Sequence, residues 1–399
     1  MNSASTRPYV VGIIGGGQLC RMTYAASIRL GLQVRILAEG PDVSAAQVGA
    51  HVTVGDFTDP DTVLDFARGC DVITFDHEHV PPSILQQAVA DGVAVRPGPD
   101  ALIHAQDKGI MRRRLSELGI PCPAHRIVQT AEELVQFGDE VGWPVIAKIP
   151  RGGYDGKGVW KLEGPDAVAD LAKEFPDSDM VAEEFVDFQR ELSAIVVRSP
   201  SDQAVAYPVT ESIQDRGICS ETVTPAPDLD PALAAECQEL ALRIARELDV
   251  VGVLAVELMQ RPDGGVVVNE LAMRPHNTGH WTIDGAHTSQ FENHLRAIVD
   301  LPLGDPGPTA QHTVMVNVLG GTVSDLPAEL LHCFARDRRI RVELYGKDVA
   351  PRRKVGHVNA AGDDLETTRR RARHCANRLM GIDDEADDAP SATKREGGE

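Results

Sequence analysis

Apolar residues in the first hundred positions come as short runs separated by stretches with helical spacing. Val10-Val11-Gly12-Ile13-Ile14 has the length of one buried strand. Gln18 to Leu30 then puts Leu19, Met22, Ala26 and Leu30 on one side of a helix. Val34 to Ala38, Asp71 to Phe75 and Val93 to Arg96 read as further strands. Strands that alternate with helical segments predict an α/β unit, a parallel sheet wrapped by helices.

The pattern changes after residue 106. Asp107 to Leu118 reads as a charged helix, ended by Gly119 to Pro123. Pro144 to Lys148 and Val159 to Leu162 are strands around a glycine-rich tip, which predicts a hairpin. A helix near Ala167 to Glu174 and a strand at Met180 to Phe185 complete a small lid-like unit. Further strands are expected at Leu192 to Arg198, Ala204 to Tyr207, Val253 to Met259 and Gly265 to Asn269. Helices are expected at Pro231 to Leu248 and Ser289 to Val299. The Pro- and Gly-rich stretch Leu301 to Pro308 reads as a linker. The last unit has strands at Thr313 to Leu319, Arg341 to Tyr345 and Lys354 to Val358, then a basic helix at Thr367 to Leu379. No internal repeat is visible. The expected division is 8–105, 106–190, 191–306 and 307–381, followed by an acidic tail, 382–399, that reads as disordered.

Bulk composition narrows the function. The chain has 399 residues, too many for one small core. Its net charge of −21 argues against a nucleic-acid or anionic-membrane partner. An anionic substrate must then be met by local groups of Lys and Arg. No apolar run approaches the roughly 18 residues of a membrane span, and Met1 to Pro8 lacks a signal-peptide core, so a cytoplasmic location is expected. The 7 cysteines are odd in number and contain no C-x-x-C. They suggest neither a disulfide framework nor a zinc site, only reduced buried thiols.

Two glycine clusters carry candidate chemistry. Gly12-Ile-Ile-Gly15-Gly16-Gly17-Gln18-Leu19-Cys20 follows a strand and opens a helix, with Glu39 at the end of the next strand. A dinucleotide site is one reading, although Cys20 stands where its third glycine belongs. A phosphate- or ribose-binding turn at the helix N-terminus is the second, and a purely structural tight turn is the third. The other cluster follows Lys148, with glycines at 152, 153, 156 and 158. Its backbone N–H groups can approach phosphate oxygens, and Lys148 can add a point charge. It is not a Walker A loop, and a merely flexible loop stays open.

Downstream residues favour the phosphate reading. Glu183-Glu184-Phe185-Val186 closes a strand whose backbone can meet an adenine edge, and Glu191 can take ribose hydroxyls. Val253-Leu-Ala-Val-Glu257 and Val266-Val-Val-Asn269-Glu270 are two strands ending in carboxylates. Facing carboxylates repel unless a cation lies between them, and magnesium shared with ATP phosphates fits. Arg274, His276, Asn277 and His280-Trp281 follow at once, a dense polar run suited to substrate contact.

In this order, Lys148, the glycine loop, Glu183-Glu184, Glu191, Glu257 and Asn269-Glu270 resemble the ATP-grasp superfamily. Within it the chain is similar to the N5-carboxyaminoimidazole ribonucleotide synthases over about residues 8 to 380. The motifs that carry this are Gly15 to Met22, Gly153 to Gly158, Asn269 to Trp281 and Arg353-Lys-Val-Gly-His357. The resemblance implies a Rossmann-like N-terminal domain, an ATP-grasp lid and metal-nucleotide subdomain, and a small C-terminal domain. It implies carboxylation of 5-aminoimidazole ribonucleotide by ATP and bicarbonate through carboxyphosphate, in purine biosynthesis, by a homodimer.

The residues transfer by position. ATP would meet Lys108, Lys148, the loop Gly153, Tyr154, Asp155, Gly156, Lys157, Gly158 and Val159, then Glu183, Glu184, Phe185, Val186, Glu191, Gln214, Asn269 and Glu270. Two magnesium ions would sit at Glu257 and Glu270. The ribonucleotide would lie among Gly17, Gln18, Glu78, Tyr154, Asp155, Arg274, His276 and Asn277, with its phosphate on Lys347, Arg353 and Lys354. Asp155, Lys148 and Arg274 would be catalytic, Asp155 orienting or deprotonating the amine. Cys20 and Arg352 stand where this family usually has glycine, and Gln214 where it usually has histidine. A formate-using transformylase or a biotin-type carboxylase is the alternative within the superfamily.

Overall fold

The structure is a computed structural model that describes residues 8–153, 157–174 and 179–382. Among the described residues the strands form three sheets. The first is parallel and holds β1 (Val10–Ile14), β2 (Gln33–Ala38), β3 (His51–Val54), β4 (Val72–Phe75) and β5 (Ala94–Val95), in the order β3-β2-β1-β4-β5. β1 and β4 are central, and every residue of both is buried, which is why they read as apolar runs, broken in β4 only by Thr74. The helix Gln18–Leu30 ends on Gly31 at φ +65°, a left-handed cap that glycine adopts without strain.

The second sheet is the lid. β6 (His125–Val128), β7 (Val145–Lys148), β8 (Val159–Leu162) and β9 (Met180–Glu184) run antiparallel in the order β6-β9-β7-β8. Lys148 pairs with Val159 at the hairpin tip, so the glycine loop leaves the sheet directly beside the Lys148 side chain. Helices Ala131–Val141 and Pro165–Glu174 cover one face around Leu134, Phe137 and Val168.

The third sheet has nine strands. β10 (Arg190–Arg198) pairs with β11 (Ala204–Ala206), β12 (Thr210–Asp215) and β14 (Gly252–Gln260). β13 (Ile218–Thr224), β15 (Val266–Ala272), β16 (His312–Leu319), β17 (Arg341–Leu344) and β18 (Lys354–Gly362) complete the order β15-β14-β10-β12-β13-β16-β18-β17. The β13–β16 pairing makes the last strands an extension of the central sheet. One core runs without a break from Ile14, Phe75 and Leu85 through Leu102 and Leu115 to Leu192, Leu254 and Val268, joining the first sheet to the third.

Sequence periodicity located the long elements to within a residue or two, except that β15 and β18 run three and four residues past their expected ends. It passed over β3, β6, β12, β13 and the helices Pro60–Ala67, Pro82–Ala90, Pro99–Gln106, Ala131–Val141 and Leu326–Arg336. These are short, or mixed with polar residues: β12 reads TESIQD and β3 is nowhere fully buried. Glu257 and Glu270, expected at strand ends, lie inside β14 and β15. All seven cysteines are free thiols, with Cys70 and Cys122 only partly buried. No described helix is long and apolar enough to cross a membrane. The acidic tail from 383 onward lies outside the described residues.

Candidate active site

The first glycine cluster is sealed from within. Asp76, one residue past β4, aims its carboxylate at the N-terminus of the Gln18–Leu30 helix. It accepts the N–H of Gly17 and, at 2.9 Å, that of Cys20. A carboxylate at this point satisfies the free N–H groups and the positive end of the helix dipole. The anion expected at this turn is therefore the protein's own, which removes the dinucleotide reading and that of a direct phosphate site. Gly17 has no room for a Cβ because Asp76 fills that space. Cys20 is buried in the core cluster that also holds Ile13 and Ile36.

The main cavity has a volume of about 560 Å³ and lies between all three sheets. Its wall brings together Lys108, Lys148, Gly153, Val159, Glu183 to Val186, Glu191, Gln214, Glu257, Asn269 and Glu270. Gln18, Glu78, Arg274, His276, Asn277 and Lys354 line it too. Gly17, Lys157, Gly158, Lys347 and Arg353 are not in its wall. Tyr154, Asp155 and Gly156 lie outside the described residues.

Two strands set the carboxylate pair. Glu257 on β14 is directly opposite Glu270 on β15 in the antiparallel register, where facing side chains stand close together. Burial, with Glu270 and Glu191 nearby, pushes the Glu257 carboxyl up to about 8. Lys108 approaches Glu270 at 3.0 Å. His276 Nε2 lies 3.3 Å from Glu257. The Thr278 N–H points at His276 Nδ1, which assigns the ring proton to Nε2 and makes that nitrogen the donor to Glu257. Burial, then Arg274 and Lys354, lowers His276 to about 3, so this imidazole is neutral at pH 7. The expected substrate contact at His276 is thus also a tether for a carboxylate.

No cluster of three or more His, Cys, Asp or Glu side chains suited to a metal occurs among the described residues. The Glu257–Glu270 pair with Asn269 beside it still fits magnesium, because this ion usually takes one or two protein carboxylates and fills its shell with phosphates and water. The β14–β15 register is the mark of that fit: two oxygen-donor groups face each other where a divalent cation would relieve their repulsion.

A second network holds the lysine. Glu183 was expected beside the nucleotide, but its side chain is buried and turned inward. It binds Lys148 Nζ at 2.8 Å and Arg112 Nε at 2.7 Å. Burial pushes this carboxyl up, but Lys148 and Arg112 outweigh that and hold it at about 2. Arg112 is 0% exposed and also donates to the carbonyls of Val268, at 3.0 Å, and Asn269, at 2.7 Å. Lys148 reaches Asn269 Oδ1 at 3.3 Å. Arg112 thereby joins the Lys108–Glu117 helix, the lid and β15 at the point where Lys148 meets the carboxylates. Sequence reading missed it because an arginine on a charged helix looks solvated.

Around this centre, Gln214 hydrogen-bonds Glu191, whose carboxyl burial raises, and donates to Ser212 at 2.9 Å. Glu184 pairs with Arg261. Glu78 accepts the Met273 N–H at 2.6 Å and faces Arg274 Nε at 3.4 Å, pinning the start of the polar run. Gln290, fully buried and also missed, clamps the backbone of His276 by its N–H at 2.8 Å and its carbonyl at 2.7 Å.

Lys347 binds Gln18, while Ser44 and Gln47 hold the carbonyls of Tyr345 and Gly346. The C-terminal segment is thus pinned against the first domain. Arg353 is exposed and turned to the Asp348 carbonyl at 3.3 Å. Arg352 has φ +62°, the left-handed region that favours the glycine expected there from the family resemblance, and its guanidinium reaches Asp215 at 3.2 Å.

This fold and this cavity define an ATP-grasp enzyme. The ATP-grasp domain family matches residues 113–291, the ribonucleotide synthetase preATP-grasp domain 9–106, and the phosphoribosylaminoimidazole carboxylase C-terminal domain 313–371. The chain is 49% identical over 376 residues to N5-carboxyaminoimidazole ribonucleotide synthase of Mycobacterium bovis, covering 93% of this chain and 87% of that protein. N5-carboxyaminoimidazole ribonucleotide synthetase from Thermus thermophilus superposes with a TM-score of 0.85 at 35% identity, over 94% of this chain and 100% of that one. The synthase from Aspergillus clavatus, solved with ADP and 5-aminoimidazole ribonucleotide, gives 0.86 at 31% identity, over 94% and 99%. The chain belongs to the N5-carboxyaminoimidazole ribonucleotide synthase family.

Proposed function

We propose that the cavity carboxylates the exocyclic amine of 5-aminoimidazole ribonucleotide, using ATP and bicarbonate and releasing ADP and phosphate, as a step of purine biosynthesis. The observation that carries this reading is the meeting of two sets of groups in one cavity. Lys108, Lys148 and the Glu257–Glu270 pair suit a nucleotide triphosphate, while Arg274, His276, Asn277 and Lys354 suit a second anionic substrate.

A bicarbonate oxygen attacks the γ-phosphorus, the bond to the ADP oxygen breaks, and carboxyphosphate forms. Loss of phosphate delivers carbon dioxide, and the amine adds to its carbon and gives up a proton. Little covalent work falls to the protein, so positioning and charge do most of it. Lys148 and Lys108 face the phosphates, Lys148 held in place by Glu183. Magnesium, when bound at Glu257 and Glu270, supplies charge neutralisation on the transferring phosphoryl group. Arg274, steadied by Glu78, meets the ribonucleotide and takes part in its reaction. Lys347 and Lys354 hold the ribonucleotide phosphate, Lys347 reaching it beside Gln18. Asp155 orients or deprotonates the amine. The reading includes two magnesium ions, a homodimer and a cytoplasmic location.

The deciding assay is ADP release with each reactant omitted in turn. Release should require both bicarbonate and the aminoimidazole ribonucleotide. Release that persists when formate replaces bicarbonate would favour a formate-using ligase instead.

A further inference from the structure

Away from the cavity, two helices of the C-terminal unit carry histidines that face each other. His332 lies on Leu326–Arg336 and His374 on Leu365–Met380. Their Nε2 atoms stand 3.4 Å apart, with ring centroids at 5.6 Å and planes tilted by 39°. For a hydrogen bond between ring nitrogens this is long. Two imidazole nitrogens on one tetrahedral zinc, each about 2.05 Å from the ion, stand about 3.3–3.4 Å apart. The observed spacing is the bite of such an ion, and an octahedral right angle would need a shorter one.

The scaffold beneath the pair is ordered by other contacts between the same helices. Next along the chain, Cys333 and Cys375 are buried at the seam, Cys333 Sγ lying 3.8 Å from the Cys375 carbonyl. Near the pair, Arg378 and Glu329 form an ion pair from helix to helix. Two cross-helix contacts thus hold the two rings in register before any metal arrives, and a site built on rigid elements loses less entropy on binding. The Glu329 carboxylate also offsets the positive charge of Arg378, which would otherwise oppose a cation. Neither histidine belongs to the catalytic cavity.

We propose that His332 and His374 form a surface site for a borderline divalent cation of the zinc class, with water completing its shell. The bound ion staples the two helices that cover the C-terminal strands. Because it binds the folded chain, it raises stability by mass action.

The test is zinc titration of the full chain in excess magnesium and ADP, comparing wild type with His332→Gln and His374→Gln. Wild type should bind one zinc equivalent more than either variant, and each variant should weaken binding there by at least about tenfold. A zinc-dependent rise in Tm should appear in wild type and vanish in both variants. ATP turnover without zinc should be unchanged in both, which shows that they are folded. Equal zinc stoichiometry in all three proteins overturns the proposal. So does loss in only one variant, because a two-imidazole site needs both.

Discussion

Glu183 and Glu257 line the same cavity and are handled in opposite ways. Glu183 is embraced by Arg112 and Lys148 and is held down at about 2. Glu257 touches a neutral imidazole, and burial first, then Glu270 and Glu191, push it up to about 8. The first carboxylate is neutralised by the protein and serves structure, fixing Lys148 in the cavity wall. The second is raised by burial and then by its neighbouring carboxylates, and a bound cation would relieve that repulsion. Sequence reading had grouped both as ligand contacts, since a glutamate at the end of an apolar run looks the same in either role.

The contrast can be broken first at Arg112. Arg112→Met leaves Glu183 buried with one partner fewer, and breaking a buried pair in this way costs about 3–5 kcal/mol. Urea unfolding should show that loss, and unaltered stability would mean that Arg112 is not what neutralises Glu183.

Glu270→Gln should spare stability and remove turnover instead, by at least about a hundredfold. Steady-state ADP release measures it, and near-normal activity would take Glu270 out of the metal site.

Lys347→Ala tests the proposed phosphate contact beside Gln18, outside the cavity wall. The KM for the ribonucleotide should rise by about tenfold with the KM for ATP nearly constant. The reverse pattern would move Lys347 to the nucleotide.

The smallest effect is in pH. The Glu257 carboxyl is raised on folding, so its protonated form favours the folded state. That stability is fully present below its unfolded value, near the ordinary carboxyl range, and is lost as pH rises through about 8. Metal-free protein should therefore lose a few degrees of Tm between about pH 6 and pH 8. The slope should flatten with magnesium and ADP, and in Glu257→Gln. A slope that persists in Glu257→Gln belongs to another group.

The two glycine-rich turns show the limits of reading in one dimension. Both were legible as turns able to hold an anion, and for the same reason: glycine lets backbone N–H groups converge. Nothing near Gly15 to Gly17 in the chain reveals that Asp76, fifty-nine residues beyond Gly17, already fills the place. The Gln290 clamp on His276 was equally hidden, because a glutamine on a helix has no pattern of its own until its partner is known.

The chain by itself determined the strand and helix order of the long elements, because apolar period records which faces are buried. It also determined the carboxylates, Lys148 and the polar run of the cavity, because their types and order follow the chemistry of a nucleotide and an anionic substrate, whereas Lys108 and Lys354 came only from family resemblance. Only the tertiary structure decided how the charges pair. It set Glu257 against Glu270 through β14–β15 register, turned Glu183 inward to Arg112, and gave the helix N-terminus to Asp76. The physical reason is that charge compensation depends on distance in space and on burial, and neither is a property of spacing along the chain.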